Sequence, residues 1–504
     1  MAGGGGQVHD SASANAGDGG HGLHSGSVGL VPVLFQSIAN MAPGAAVAFS
    51  ILFAAPYAGG ATPLAVLLGL VLCLLVAVTI GQVAKHLPSA GGLYTYNARG
   101  LGTGVGFMVG WAFLLAEVVV APAGLLIVGI VCSTVLHDHL GWPTWTWAPF
   151  SVAAGLVVWY LVWHGIKLST TANVILALFE ITVFLALAVT LAVRAGSANT
   201  FAVFTVGEHN AKGFGSVVPG VLYAVLGIIG FEAAAPLGEE ARNPKRVIPL
   251  AVVGSCLAIG VFYMFCYYGA TVFFGPARMT AFPAAGDGDP WPALASSVWG
   301  LGFIAVTIAL VNSAVAGSNA SAIATTRVGY SLARIRMLPS VMARVHPRLG
   351  TPSVATHVQM AVAIGYALIA GFAFGAPLKA LVFQGTLSGV VIVIIYMATG
   401  LSCISFYLRE RRDEFNILLH GLIPLASCLL FAPVLLAALG VDFGGLGLTP
   451  LTPPASYAPY VIYAWLAIGL GVLGWFLATD RSRIARTGLV FEDKATEPGQ
   501  EHGS

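Results

Sequence analysis

The sequence predicts an all-α protein that crosses a membrane twelve times, and three observations carry the prediction. Only 8% of its 504 residues are charged and 57% are hydrophobic. A soluble domain carries about 25% charged residues, so lipid has to stand where solvent would. Apolar stretches of about 20 residues, the length that crosses a hydrocarbon core, recur along the chain between short polar loops. Two of these stretches, the first and the sixth, are interrupted by Gly and Pro at mid-length.

In chain order the spans are expected near 30–54, 62–84, 104–136, 146–164, 170–194, 215–237, 247–274, 293–326, 353–374, 378–406, 415–440 and 458–479. Residues 1–27 are low-complexity and lack the basic and apolar blocks of a signal peptide, so they read as a tail. Residues 480–504 read as a second tail, and 28–479 as one membrane domain. An even number of spans places both termini on one side. Alternate loops and the C-terminal tail hold eighteen of the 22 basic residues, and the opposite loops hold only Arg194, Lys212, Arg278 and Lys379. Basic residues stay in the cytoplasm, so both termini are expected to be cytoplasmic in a multi-pass protein of the cell membrane. The six cysteines all fall in apolar stretches with no C-x-x-C pair, which reads as buried thiols.

The first span contains Met41-Ala42-Pro43-Gly44-Ala45. Proline removes a backbone donor and glycine tolerates most backbone angles, so the helix is expected to open there. In the sixth, Gly227 and Gly230 bracket a second opening along Leu226-Gly227-Ile228-Ile229-Gly230-Phe231, with Glu232 next. Unpaired backbone groups at membrane depth survive only inside protein or along a cavity. Two such breaks, in corresponding helices, are the pattern of inverted five-helix repeats with a site at the midplane. The halves are expected at about 30–194 and 215–406, followed by accessory helices over 415–479.

Three segments then carry a resemblance. They are Pro88-Ser89-Ala90-Gly91-Gly92-Leu93-Tyr94, Gly230-Phe231-Glu232 through Glu239-Glu240-Ala241-Arg242-Asn243-Pro244-Lys245-Arg246-Val247-Ile248-Pro249, and Arg327-Val328-Gly329-Tyr330-Ser331-Leu332-Ala333-Arg334. In order and in the expected loops, they resemble the signatures of amino acid–polyamine–organocation permeases, over roughly residues 30–410. The resemblance implies a LeuT-like fold with helices 1 and 6 discontinuous and two added C-terminal helices. It also implies secondary transport of amino acids or related amines by alternating access, with H⁺ or Na⁺ as coupling ion or by exchange.

Exposed N–H groups at a half-helix N-terminus attract a carboxylate, and unwound carbonyls accept from an ammonium. Met41, Ala42, Pro43, Gly44 and Ala45 are therefore the candidates for the substrate carboxylate. Leu226, Gly227, Ile229, Gly230 and Phe231 are the candidates for the amino group. Three carboxylates lie inside spans, Glu117, Glu180 and Glu232, where a charge costs about 2.5–3.5 kcal/mol on insertion scales. They are candidates for coupling or gating. Glu180 stands where some proton-coupled members of the resembling family carry lysine. Ser313, Ser318 and Ser321 on the eighth span are a candidate cation site, since hard cations prefer oxygen ligands, and interhelical hydrogen bonding is the other use of such residues. Glu239 and Glu240 with Arg242, Lys245 and Arg246 form a candidate gate. No cofactor or metal motif appears, nothing points to nucleic acid, and no His, Asp or Cys constellation supports a membrane enzyme.

Overall fold

The structure, a computed structural model, describes residues 28–481 and 484, apart from 90, 166–169, 208–212, 239, 335 and 442–446. The two expected tails, Lys167 and Glu239 therefore lie wholly or largely outside the described residues. Among the described residues there is no strand, only isolated bridges between Val28 and Ala241 and between Val345 and Pro352.

Among the described residues sixteen α-helices follow one another. The N-terminal part holds α1 Leu30–Met41, α2 Pro43–Ala58, α3 Thr62–Ala84, α4 Leu93–Leu101, α5 Thr103–Val118, α6 Val120–Leu140, α7 Trp147–His164 and α8 Thr170–Ala195. Then come α9 Phe214–Ile228, a 3₁₀ turn over Phe231–Leu237, α10 Pro244–Phe274, α11 Pro290–Trp299, α12 Phe303–Arg334, α13 Ser353–Ala373 and α14 Pro377–Arg409. A π-helical turn, Ile417–Leu422, leads into α15 Ile423–Ala438, and α16 Ala458–Thr479 ends the series.

Eleven stretches among the described residues are long and apolar enough to cross a membrane, against twelve expected. The difference lies in the first, Leu30–Ala84, whose 55 residues would measure about 80 Å as one helix at 1.5 Å per residue. It is divided at Ala42 and again at the 3₁₀ turn Gly59–Ala61. The eighth span also starts later than the expected 293. Gly300, at φ 56, ends α11 after Trp299, and the long helix begins at Phe303. The junction at Pro377 separates two helices, α13 and α14.

Apolar side chains on the outer faces stay exposed, among them Ile175, Val189, Ile369, Leu429 and Leu470. Water would penalise that surface, and hydrocarbon does not. Burial grades from the centre outward: 83% of the most apolar window around α9 is buried against 17% for α16. Between helices, small residues set the spacing. A Cβ at Gly124 on α6 would sit 2.3 Å from the Ala314 carbonyl oxygen on α12, so only glycine allows those backbones to meet.

Candidate functional site

Pro43 explains where α1 stops. It has no N–H to offer the Ala39 carbonyl and its ring crowds that turn. The Ala42 N–H instead donates to Ala39 O at 3.1 Å, and Ala42 takes a left-handed conformation, φ 45 and ψ 66. An alanine there is strained, a cost of order 1–3 kcal/mol that surrounding packing must offset. The second break follows Ile228. Ile229 is extended, and Gly230 at φ 121 adopts a conformation that L side chains rarely take. The breaks cross in contact, because a Cβ on Gly230 would lie 2.9 Å from the Met41 nitrogen. The Tyr263 hydroxyl donates to Met41 O at 3.2 Å, and the Ser37 hydroxyl to Phe231 O at 3.0 Å.

The donors freed at the breaks are met within the chain. The Ala45 N–H donates to Ser313 Oγ at 2.9 Å. Gly44 lies beside the buried carboxyl of Glu180, whose Oε2 has no hydrogen-bond partner. At the second break the Gly230 N–H donates to Glu232 Oε2 at 3.0 Å, and the Tyr396 hydroxyl donates to the same oxygen at 2.8 Å. Glu232 Oε1 is buried without a hydrogen-bond partner.

A third interruption separates α5 from α6 at Val119. Pro122 is its cause, leaving the Val118 carbonyl without a helical donor. Gln359 Nε2 donates to Val118 O at 3.4 Å, and Gln384 Nε2 donates to Val119 O. Ser388 and Ser318 donate to Ala116 O and Ala121 O, at 3.2 and 2.9 Å. Ser321 Oγ lies 3.2 Å from both the carbonyl oxygen and Oε2 of Glu117. Ser318 and Ser321 thus turn toward α5–α6 and Ser313 toward α2, so the three serines do not share one centre.

Where the three interruptions meet lies a cavity of about 130 Å³. Met41, Ala42 and Ala45 line it from the first break, and Leu226, Gly227 and Ile229 from the second. Glu117 and Ser318 also line it. Pro43, Gly44, Gly230, Phe231, Glu232, Glu180, Ser313 and Ser321 are not in the wall. Gly44 faces the other way, with Phe184 Cε2 3.0 Å from where its Cβ would be. Sequence reasoning missed Asn40, Phe49, Phe53, Gln384 and Ser388, which are also among the lining residues. Glu117 and Pro122, inside an otherwise continuous span, were the legible signs of the α5–α6 wall.

The wall residues lie between the breaks and the end of the bundle that carries Phe214 and Pro377. The opposite end is tied shut. Val28 N–H donates to Glu240 O at 3.1 Å and Arg242 N–H to Val28 O at 2.7 Å. Arg327 Nη1 pairs with Glu240 Oε1 at 2.6 Å, so Glu240 is held by α12. The glycines of the first family-like segment reach the same place. A Cβ on Gly92 would sit 3.1 Å from Pro236, and one on Gly238 would sit 2.9 Å from the Ser89 nitrogen. Tyr94 OH and Ser331 Oγ, from the first and third segments, are 2.8 Å apart.

The sequence profile described as Amino acid permease matches residues 32–483, which spans all three segments and every wall of the cavity. The chain belongs to the amino acid permease family. The permease is 26% identical over 396 residues to the low-affinity putrescine importer PlaP of Escherichia coli (strain K12), covering 76% of this chain and 82% of that protein. It is 23% identical over 432 residues to the serine/threonine exchanger SteT of Bacillus subtilis (strain 168), covering 85% and 90%. The glutamate/serine transporter AimA of the same organism is 27% identical over 378 residues, covering 70% of the permease and 65% of AimA. The family and these relatives are transporters, and the permease is a multi-pass membrane protein of that kind.

Proposed function

We propose that the permease is a secondary active transporter that carries amino acids or related amines across the cytoplasmic membrane by alternating access. The observation that carries this reading is the cavity itself, whose wall takes residues from both crossing breaks, Met41, Ala42 and Ala45 with Leu226, Gly227 and Ile229. Sites of this kind sit at the bilayer midplane between inverted halves. With Leu30–Ala84 counted as two crossings the total becomes twelve, and the basic residues then put both termini in the cytoplasm. The tied end at Glu240 and Arg327 is then cytoplasmic, and the cavity faces outward.

The relatives named for putrescine, for serine and threonine, and for glutamate and serine support an amino-group-bearing substrate. Coupling is assigned to protons through Glu232 or Glu180, each buried beside a break, Glu232 with the freed Gly230 amide on its carboxylate and Glu180 against Gly44. Purified permease in liposomes, offered labelled amines and amino acids under an imposed proton gradient, accumulates at least one of them above the level of empty vesicles. Equilibration alone with every compound contradicts active transport.

A further inference from the structure

A carboxyl group of the chain stands at each half-helix N-terminus in the permease. At α2, Pro43 has no N–H, the Ala46 N–H returns to Ala42 O at 2.8 Å, and the Ala45 N–H is taken by Ser313. The carboxyl of Glu180 is buried beside Gly44. At the second break the Gly230 N–H is given to Glu232. A substrate carboxylate at either break would compete with a carboxyl group already there.

The cavity offers the reverse to a cation. Glu117 is the one carboxylate in its wall, and no Lys, Arg or His lines it. Asn40 Oδ1 and Gln384 Oε1, on lining residues, are buried acceptors without a partner. Both residues are more than nine-tenths buried. Unmet buried acceptors are costly, and an ammonium brings three donors. Much of the remaining wall is apolar, with Phe49, Phe53 and Leu226.

We infer that the cavity selects organic monocations, amines with an apolar body and no carboxylate, and that Glu117 is the specificity-determining residue that receives the ammonium. The inference deepens the proposed function and rests on the cavity being the substrate site. A bound ammonium supplies the counter-charge that Glu117, bonded only to Ser321 among the described contacts, otherwise lacks. A dication would carry its second charge against the phenylalanine wall, where no carboxylate lines the cavity.

Three probes of one shape separate the possibilities: 2-phenylethylamine, phenylalanine and 3-phenylpropionate, with 1,4-diaminobutane as the dication. Binding is read by competition and by thermal shift on the full chain in lipid nanodiscs. The expected result is 2-phenylethylamine at least tenfold tighter than phenylalanine and the diamine, with no competition from the propionate. Glu117→Gln, which keeps size and can still accept from Ser321, weakens the amine at least tenfold. Glu117→Asp, which keeps the charge, restores part of the loss. Phenylalanine equal to or tighter than the amine overturns the inference, as does an amine affinity unchanged in Glu117→Gln or no binding by any probe. If liposomes accumulate amino acids while the amine fails to bind, the transport reading stands and this inference falls. If nothing is transported, the transport reading falls too.

Discussion

Glu232 stands at the second break with one oxygen holding the Gly230 amide and the Tyr396 hydroxyl, and the other unpartnered. A proton on that free oxygen turns an acceptor into a donor beside a backbone already unwound, and so biases one arrangement of the break over another. Coupling requires no more than such a bias. Glu232→Gln, fixed in the protonated-like form, should still bind and exchange substrate yet lose accumulation driven by a pH gradient. Glu180→Gln belongs beside it in the same assay. If both variants accumulate with unchanged pH dependence, neither acid carries the proton. Gly230 is constrained more tightly than its role as a break suggests. At φ 121 with the Met41 nitrogen 2.9 Å from a Cβ, even alanine strains the crossing. Gly230→Ala should cost about 2 kcal/mol or more and lower the unfolding temperature in detergent. An unchanged melting profile would mean that the breaks do not meet as described.

At the scale of elements, the helix ends follow from single residues. Pro43 stops α1, Pro122 divides α5 from α6, and Gly300 turns α11 toward α12. The first was legible because glycine follows the proline and freed groups have to go somewhere. The second passed as continuous helix because one proline in an apolar run of that length reads as an ordinary membrane kink. The third was hidden by apolar residues on both sides of the turn. The tie between the Val28–Ala241 bridge and the Arg327–Glu240 pair makes a further prediction. Arg327→Gln leaves Glu240 without its α12 partner and should loosen that end. Labelling of Ser37→Cys, just beneath the first break, by a water-soluble thiol reagent should then quicken on the order of tenfold, the effect of about 1.4 kcal/mol on an opening equilibrium. Equal rates with and without Arg327 would show that the pair does not hold the end closed.

For the whole molecule, the membrane fold was readable because lipid leaves a coarse mark: long apolar runs, sparse charge and a one-sided distribution of Lys and Arg. The two turns that border the cavity were readable in the sequence. Which side of each turn faces the cavity was not. Ala45 and Gly44 are neighbours, yet Ala45 lines the cavity and Gly44 faces Phe184 and Glu180. The rotation of a helix in a bundle whose every face is apolar is set by packing, which a sequence pattern does not encode. Gln384 and Asn40 were hidden for a related reason, since a lone amide in a membrane helix usually bonds a neighbouring helix. The central claim is that the cavity at the crossing of the breaks is the transport site. The direct measurement is uptake by reconstituted Ala46→Phe, which places a ring in the cavity, beside Leu470→Phe on the lipid-facing side of α16. The account predicts that Ala46→Phe, folded and inserted, loses uptake at least tenfold while Leu470→Phe transports as the unmodified permease does. Undiminished uptake by Ala46→Phe would contradict it.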